Sequence, residues 1–410
     1  MPAGNRLDRG AKPAWRDILA RKAMRDLLSW IDDELERLQQ GNLLRTLAVR
    51  ESPQQGERIV LDGREYANFG SNDYLGIAGT LLNQTQLIVA RRIGWGAGAS
   101  PLVTGRGTFH ALLEQKLAGF EGTEAALLFP TGYAANCGAV AALVGRGDII
   151  FSDALNHASL IDGCRLSGAQ IAVYRHSDAD HLRELLTATK SAGRKLIVTD
   201  GLFSMDGDLA PLDLIAELAE KYGAMLLVDE AHATGVFGER GRGVSEQFGV
   251  EQVVHIRVGT LSKALGSHGG FVAGEQRLID YLANRARTYF FSTACPELVA
   301  ATAVEALQIV QQEPQRRKEL LLRAANLREQ FRSQGWPTAE RGSQIIPLRI
   351  GEPGETMRRA AQLRELGFLV PGIRPPSVPA GQSLLRVSIT WRHDETLLAK
   401  LLAAVGHAPN

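Results

Sequence analysis

From about residue 123 the chain settles into a rhythm that leaves few folds open. Short, nearly all-apolar runs alternate with helical patterns: AALLF before YAANCGAVAALVG, DIIFSD before HASLIDGCRLSG, IAVYRH before DADHLRELLTATK, KLIVTD before LDLIAELAEKYG, then MLLVDE. A strand that is apolar on both faces has no solvent side, so it belongs in a parallel sheet with helices above and below. The expected class is α/β, a large domain with a mostly parallel sheet covered by helices. Beyond residue 296, PELVAATAVEALQIVQQ reads as a long helix, and QIIPLRI and LLRVSIT read as strands of a smaller C-terminal α/β domain. Upstream, RIVLDGREYANF reads as a hairpin turning at Asp62-Gly63. Residues 14–40 are mostly helix formers, with Ile31, Leu35 and Leu38 on one face and Gly41 as a stop. The boundaries expected are an N-terminal helical segment 1–60, a large domain 61–295 and a small domain 296–410.

A chain of 410 residues exceeds one hydrophobic core, which agrees with that division. The formal net charge of +1 gives no global attraction to nucleic acid or an anionic membrane. Cys137, Cys164 and Cys295 are widely spaced and form no CxxC pair, so a metal site is not expected and a reducing, cytoplasmic setting is. No apolar run approaches the roughly 20 residues of a membrane span. The N-terminus MPAGNRLDRGAKPAW has no apolar signal region, and Asp8 with the lack of Ser-rich character disfavours a transit peptide.

Open parallel sheets bind ligands at the carboxyl ends of their strands. After AALLF come Gly132 and Tyr133, a small turn feeding a helix start, which suits a phosphate but equally suits a tight turn with a core aromatic. After DIIFSD comes His157, either a ring-stacking group or a capping imidazole. Ser204 follows KLIVTD; Asp229 and His232 follow MLLV; Thr260 follows HIRVG. Lys263 lies just beyond, in LSKALGSHGG, where its amine cannot easily reach solvent. A desolvated lysine is a nucleophile toward carbonyls. A phosphate cradle, a strand-end carboxylate, an imidazole and such a lysine are what a pyridoxal phosphate site needs. On this reading a pyridinium nitrogen explains why a buried strand ends in Asp229, and Glu230 is a hydrogen-bonded structural neighbour.

The same stretches resemble the α-oxoamine synthases, a family of fold-type-I pyridoxal phosphate transferases. The similarity runs from about residue 45 to 400 through NDYLG, GAGASPLVTG, PTGYAAN, NHASLIDG, FSMDGDLAPL, VDEAHATGVFGERGRG, GTLSKALGSHGGF and FSTACP. Pro101 departs from the basic residue that many members carry. The resemblance implies that Lys263 binds the cofactor's aldehyde, Asp229 faces its ring nitrogen, His157 stacks on the ring, and His232 and Ser204 contact its phenolic oxygen. It places Gly132, Tyr133 and Thr260 at the cofactor, with Thr260 on the phosphate, and Ser292 and Thr293 on a neighbouring subunit's phosphate in a homodimer. Arg386 would hold an amino acid carboxylate, with Arg45, Asn72, Arg374 and Ser377 lining the substrate cleft.

The activity implied is decarboxylative condensation of an amino acid with an acyl thioester. GSQIIPLRIGE and GIRPPSVPAGQSLLRVSIT are most similar to the biotin-pathway branch, whose substrates are L-alanine and pimeloyl-CoA or a pimeloyl-carrier protein. Glycine-using branches are the nearest alternative. A non-catalytic subunit of the same fold is disfavoured by intact Lys263, Asp229, His157 and His232.

Overall fold

The computed structural model describes residues 27–54, 56–80, 91–190, 193–339 and 342–409. The part of the expected N-terminal helix before residue 27 lies outside the described residues. The chain forms two compact units, Met1–Leu47 and Ala48–Asn410. The described helix of the first is α1 (Ser29–Gln40), closed by the Gly41 N–H on the Arg37 carbonyl. Within that unit α1 buries no residue, and Ile31 and Leu35 stay exposed.

In the second unit, β1 (Arg58–Leu61) and β2 (Arg64–Asn68) form the expected antiparallel hairpin. Asp62 and Gly63 both have positive φ, 52° and 71°, as a tight two-residue turn of this hand requires. α2 (Thr108–Glu121) then leads into the main sheet. Its first strand is β3 (Ala125–Phe129), followed by α3 (Gly132–Leu143) and β4 (Ile149–Asp153). Next come α4 (Ala158–Ser167), β5 (Gln170–Tyr174), α5 (Ala179–Ala188), β6 (Lys195–Asp200), α6 (Leu212–Tyr222) and β7 (Met225–Asp229). β8 (Ile256–Thr260) and β9 (Gly270–Gly274) complete it. The spatial order is β3-β9-β8-β7-β6-β4-β5. Neighbours from β8 to β5 pair in parallel, and β9 alone inserts antiparallel between β3 and β8.

The apolar runs explain the burial. Every residue of β3, β4, β8 and β9 is buried, and each large apolar side chain so covered contributes about 1.5–3 kcal/mol. β5 departs from the pattern: as the edge strand it leaves Ile171 and Val173 exposed. β9 escaped the sequence reading because GFVAG is short and bounded by glycine, which weakens a strand signal.

α7 (Gln276–Arg285), α8 (Glu297–Gln312) and α9 (Gln315–Ser333) carry the chain to a second sheet. There β10 (Ile345–Gly351) pairs antiparallel with β13 (Ser383–Ser388), setting Pro347 opposite Arg386. β12 (Gly372–Ile373) adds on the other side of β13, and α10 (Pro353–Glu365) and α11 (Glu395–Val405) belong to the same C-terminal layer. β11 (Phe368–Leu369) instead pairs in parallel with β2, so the early hairpin gains its third strand from near the chain's end. Among the described residues no helix is long and apolar enough to cross a membrane.

Candidate active site

The carboxyl ends of β3, β4, β6, β7 and β8 share one edge of the sheet. Asp229 closes β7 with its side chain buried. Oδ1 accepts the Ala231 N–H at 2.8 Å, and Oδ2 accepts the Asn136 amide at 2.6 Å. That amide also donates to Ser159 Oγ at 2.9 Å, so α3 and α4 jointly hold the carboxylate. No ion pair engages Asp229 among the described residues. Two neutral donors only partly offset the burial of a charge, and a cation would complete the site.

Lys263 follows β8 after Thr260. Burial pushes its amine down to about 8; Asp229 and Asp200 pull the other way, while Arg386 adds to the lowering. Asp200, at the end of β6, is held well above the usual carboxylate range by burial and by the neighbouring Asp229 charge. Its Oδ2 accepts the backbone N–H of His157 at 2.7 Å.

His157 is a capping imidazole. It opens α4, with Nδ1 2.7 Å from Ser159 Oγ. Burial lowers its pKa, with Asp229 opposing and Lys263 reinforcing the effect. Tyr133 presents its ring to His157 edge-on at 6.5 Å and bonds Asp162 through its hydroxyl. Being 46% exposed, it is not a core aromatic.

Thr131 caps α3 by accepting the Ala134 N–H at 3.0 Å. Gly132 is a position of close approach: a Cβ on Gly270 of β9 would lie 2.5 Å from the Gly132 nitrogen. Thr260 Oγ1 stands 2.8 Å from Ser262 Oγ and donates to the Gly269 carbonyl at 2.9 Å. The result is a helix N-terminus walled by small residues and hydroxyls, suited to an anion.

The other wall is polar and continuous. His232 Nδ1 lies 2.6 Å from the Tyr74 hydroxyl, which is 3.1 Å from Asn72 Oδ1. Arg386 donates from Nη1 to Asn72 Oδ1 at 3.2 Å and to Ser388 Oγ at 2.7 Å, and from Nε to the Ser204 carbonyl at 2.6 Å. Gln344 donates to the His232 carbonyl at 2.9 Å. Ser204 thus enters this network through its backbone. Glu230 is structural, as read: its carboxylate takes the N–H groups of Val244 and Ser245 at 2.8 Å and the Ser245 hydroxyl at 2.5 Å.

The remaining sequence candidates sit apart from these bonds. Arg374 is buried, reaching the Met357 sulfur and the Gly372 carbonyl, and Ser377 is exposed with its N–H on the Arg374 carbonyl. Ser292 is half-buried and Thr293 exposed, in a stretch tied by the Ala294 N–H to the Ala99 carbonyl. Arg45 belongs to the first unit, where it donates to the Leu43 carbonyl. Residues not singled out beforehand are Asn136, Tyr74, Gln344, Asp200 and Ser262. Asn136 had a signal: four residues after Gly132, it shares a helix face with it.

The sequence model described as aminotransferase class I and II matches residues 64–405. The chain belongs to that family, in its α-oxoamine synthase branch, and the sheet described above is the fold-type-I architecture. More particularly, it is 47% identical to the 8-amino-7-oxononanoate synthase of Geobacter sulfurreducens over 378 residues, covering 92% of this chain and 96% of that one. Among solved structures it matches serine palmitoyltransferase from S. paucimobilis with TM-score 0.87 and 31% identity, covering 93% and 98% of the two chains. It also matches the 8-amino-7-oxononanoate synthase of Francisella tularensis with TM-score 0.72 and 26% identity, covering 83% and 96%.

Proposed function

We propose that this chain is a pyridoxal phosphate-dependent acyltransferase that joins L-alanine to a pimeloyl thioester, on CoA or a carrier protein. The products are 8-amino-7-oxononanoate, CO2 and the free thiol, a step of biotin biosynthesis. The observation that carries the reading is the pairing at adjacent strand ends of a buried carboxylate lacking any described ion pair, Asp229, with a desolvated amine, Lys263. When bound, the cofactor supplies an electron sink for charge developing at the amino acid's α-carbon.

Each side chain then has a task. Asp229 keeps a proton on the ring nitrogen, and Asn136 orients Asp229. Lys263 Nζ would hold the cofactor at its aldehyde and would serve as the general base for the α-proton, which its lowered pKa suits. His157 would cover one face of the cofactor ring, and His232 with Ser204 would address its phenolic oxygen. The start of α3 at Gly132 and Tyr133, with Thr260, holds the phosphate. Ser292 and Thr293 reach the phosphate of a second subunit in a cytoplasmic homodimer. Arg386 binds the alanine carboxylate, since a guanidinium fork matches a carboxylate's two oxygens. Asn72, Arg374 and Ser377 line the cleft toward the acyl chain.

The higher TM-score with serine palmitoyltransferase does not outweigh the 47% identity to an 8-amino-7-oxononanoate synthase. Backbone superposition follows fold, whereas substrate choice resides in side chains. A product assay crossing L-alanine, glycine and L-serine with pimeloyl-CoA and octanoyl-CoA tests the reading. L-Alanine with pimeloyl-CoA is expected to be best. Equal efficiency with the two thioesters would remove the substrate assignment and leave the family-level chemistry.

A further inference from the structure

His232 is buried, and its environment keeps it neutral: burial, then the charges of Lys263, Arg386 and His157, all lower its pKa. A neutral imidazole has one ring proton, so its chemistry depends on which nitrogen holds it. Tyr74 is fully buried in the NDYLG stretch, and its hydroxyl also has one proton to give. Two acceptors compete for that proton, His232 Nδ1 at 2.6 Å and Asn72 Oδ1 at 3.1 Å. Asn72 Oδ1 already accepts from Arg386 Nη1, and the contact to His232 is the shorter. Burial raises the Tyr74 pKa, so the hydroxyl keeps its proton.

We infer that Tyr74 is a positioning residue that donates to His232 Nδ1 and thereby fixes the His232 proton on Nε2, making His232 an N–H donor toward the cofactor before the amino acid binds. The inference rests on the proposed function, in which His232 addresses the phenolic oxygen. It adds a consequence of the shared acceptor. A substrate carboxylate that draws Arg386 away from Asn72 frees Asn72 Oδ1 to compete for the Tyr74 proton. Amino acid binding is thus linked to the state of the imidazole through Asn72 and Tyr74.

The test uses holoenzyme loaded with pyridoxal phosphate and labelled with 15N-histidine. Its His232 spectrum, assigned with the His232→Gln variant, should show a proton on Nε2 and a bare, accepting Nδ1. Tyr74→Phe removes only the hydroxyl, and its His232 signal should move toward a mixture of tautomers. The pH midpoint of the visible band of the lysine-bound cofactor should rise in that variant by about one unit. A donor at the phenolic oxygen stabilises its negative charge, and its loss favours the protonated form. A proton on Nδ1 in the parent enzyme, or an unchanged band midpoint in Tyr74→Phe, overturns the inference. Borohydride separates this from failure of the wider reading: no reducible bond to Lys263 refutes the proposed function, whereas a reducible bond with an insensitive midpoint refutes Tyr74 alone.

Discussion

The two walls of the candidate site are built in opposite ways. The wall around Lys263 and Asp229 comes from successive strand ends of one sheet, each functional group within a few residues of the strand that places it. The wall around Arg386 is assembled from remote pieces: Asn72 and Tyr74 after the hairpin, Gln344 before β10, and Arg386 in β13. A sheet edge gathers side chains by topology alone, so the first wall needs only local order. The second requires the C-terminal sheet to dock against the main one. Chemistry common to a fold can reside in the first wall, while substrate choice is free to vary in the second.

The largest effect should follow from breaking the first wall. Lys263→Ala is expected to abolish the borohydride-reducible bond and to reduce turnover by roughly 10⁴-fold or more, because on the proposed function it removes both covalent anchor and general base. Reduction followed by mass spectrometry, with steady-state rates, measures both. In the second wall, Arg386→Lys keeps the charge but loses the fork. The KM for L-alanine should rise about 10- to 100-fold with little change in the KM for the thioester, as expected for loss of charge-assisted hydrogen bonds. An equal rise in both would indicate a displaced C-terminal sheet.

The smallest effect probes the joint between the walls. His176 bonds Asp153, at the end of β4, at 2.9 Å and Asp208, in the loop that carries Ser204, at 3.0 Å. Burial pushes its pKa down, but the two carboxylates outweigh that and raise it to about 10. A raised pKa makes the stabilisation full below the unfolded value of about 6.5 and lost as pH climbs through about 10. Urea denaturation should show His176→Gln about 1–3 kcal/mol less stable than the parent near pH 6, a gap that closes toward pH 10.

How much of this was legible in sequence follows the same division. The strands of the main sheet and the positions of Asp229, His157 and Lys263 could be read because apolar runs and the groups that follow them are contiguous. The antiparallel β9 could not, since five residues that begin and end in glycine lack a periodic signature. Nor could the Tyr74–His232 contact, which joins residues 158 positions apart and has no local signal. Exposure of Ile171 and Val173 was hidden for a different reason: periodicity reports that a strand is apolar, and its place in the sheet order decides what covers it.

The reversed strand β9 has a consequence for how such a chain can vary. A side chain at position 270 would strike the Gly132 nitrogen at 2.5 Å, so backbone 138 residues away leaves room only for glycine there. A saturation library at 270 should therefore collapse to glycine among cofactor-binding clones, and no second substitution at 132 can rescue the rest, because the atom in the way is backbone.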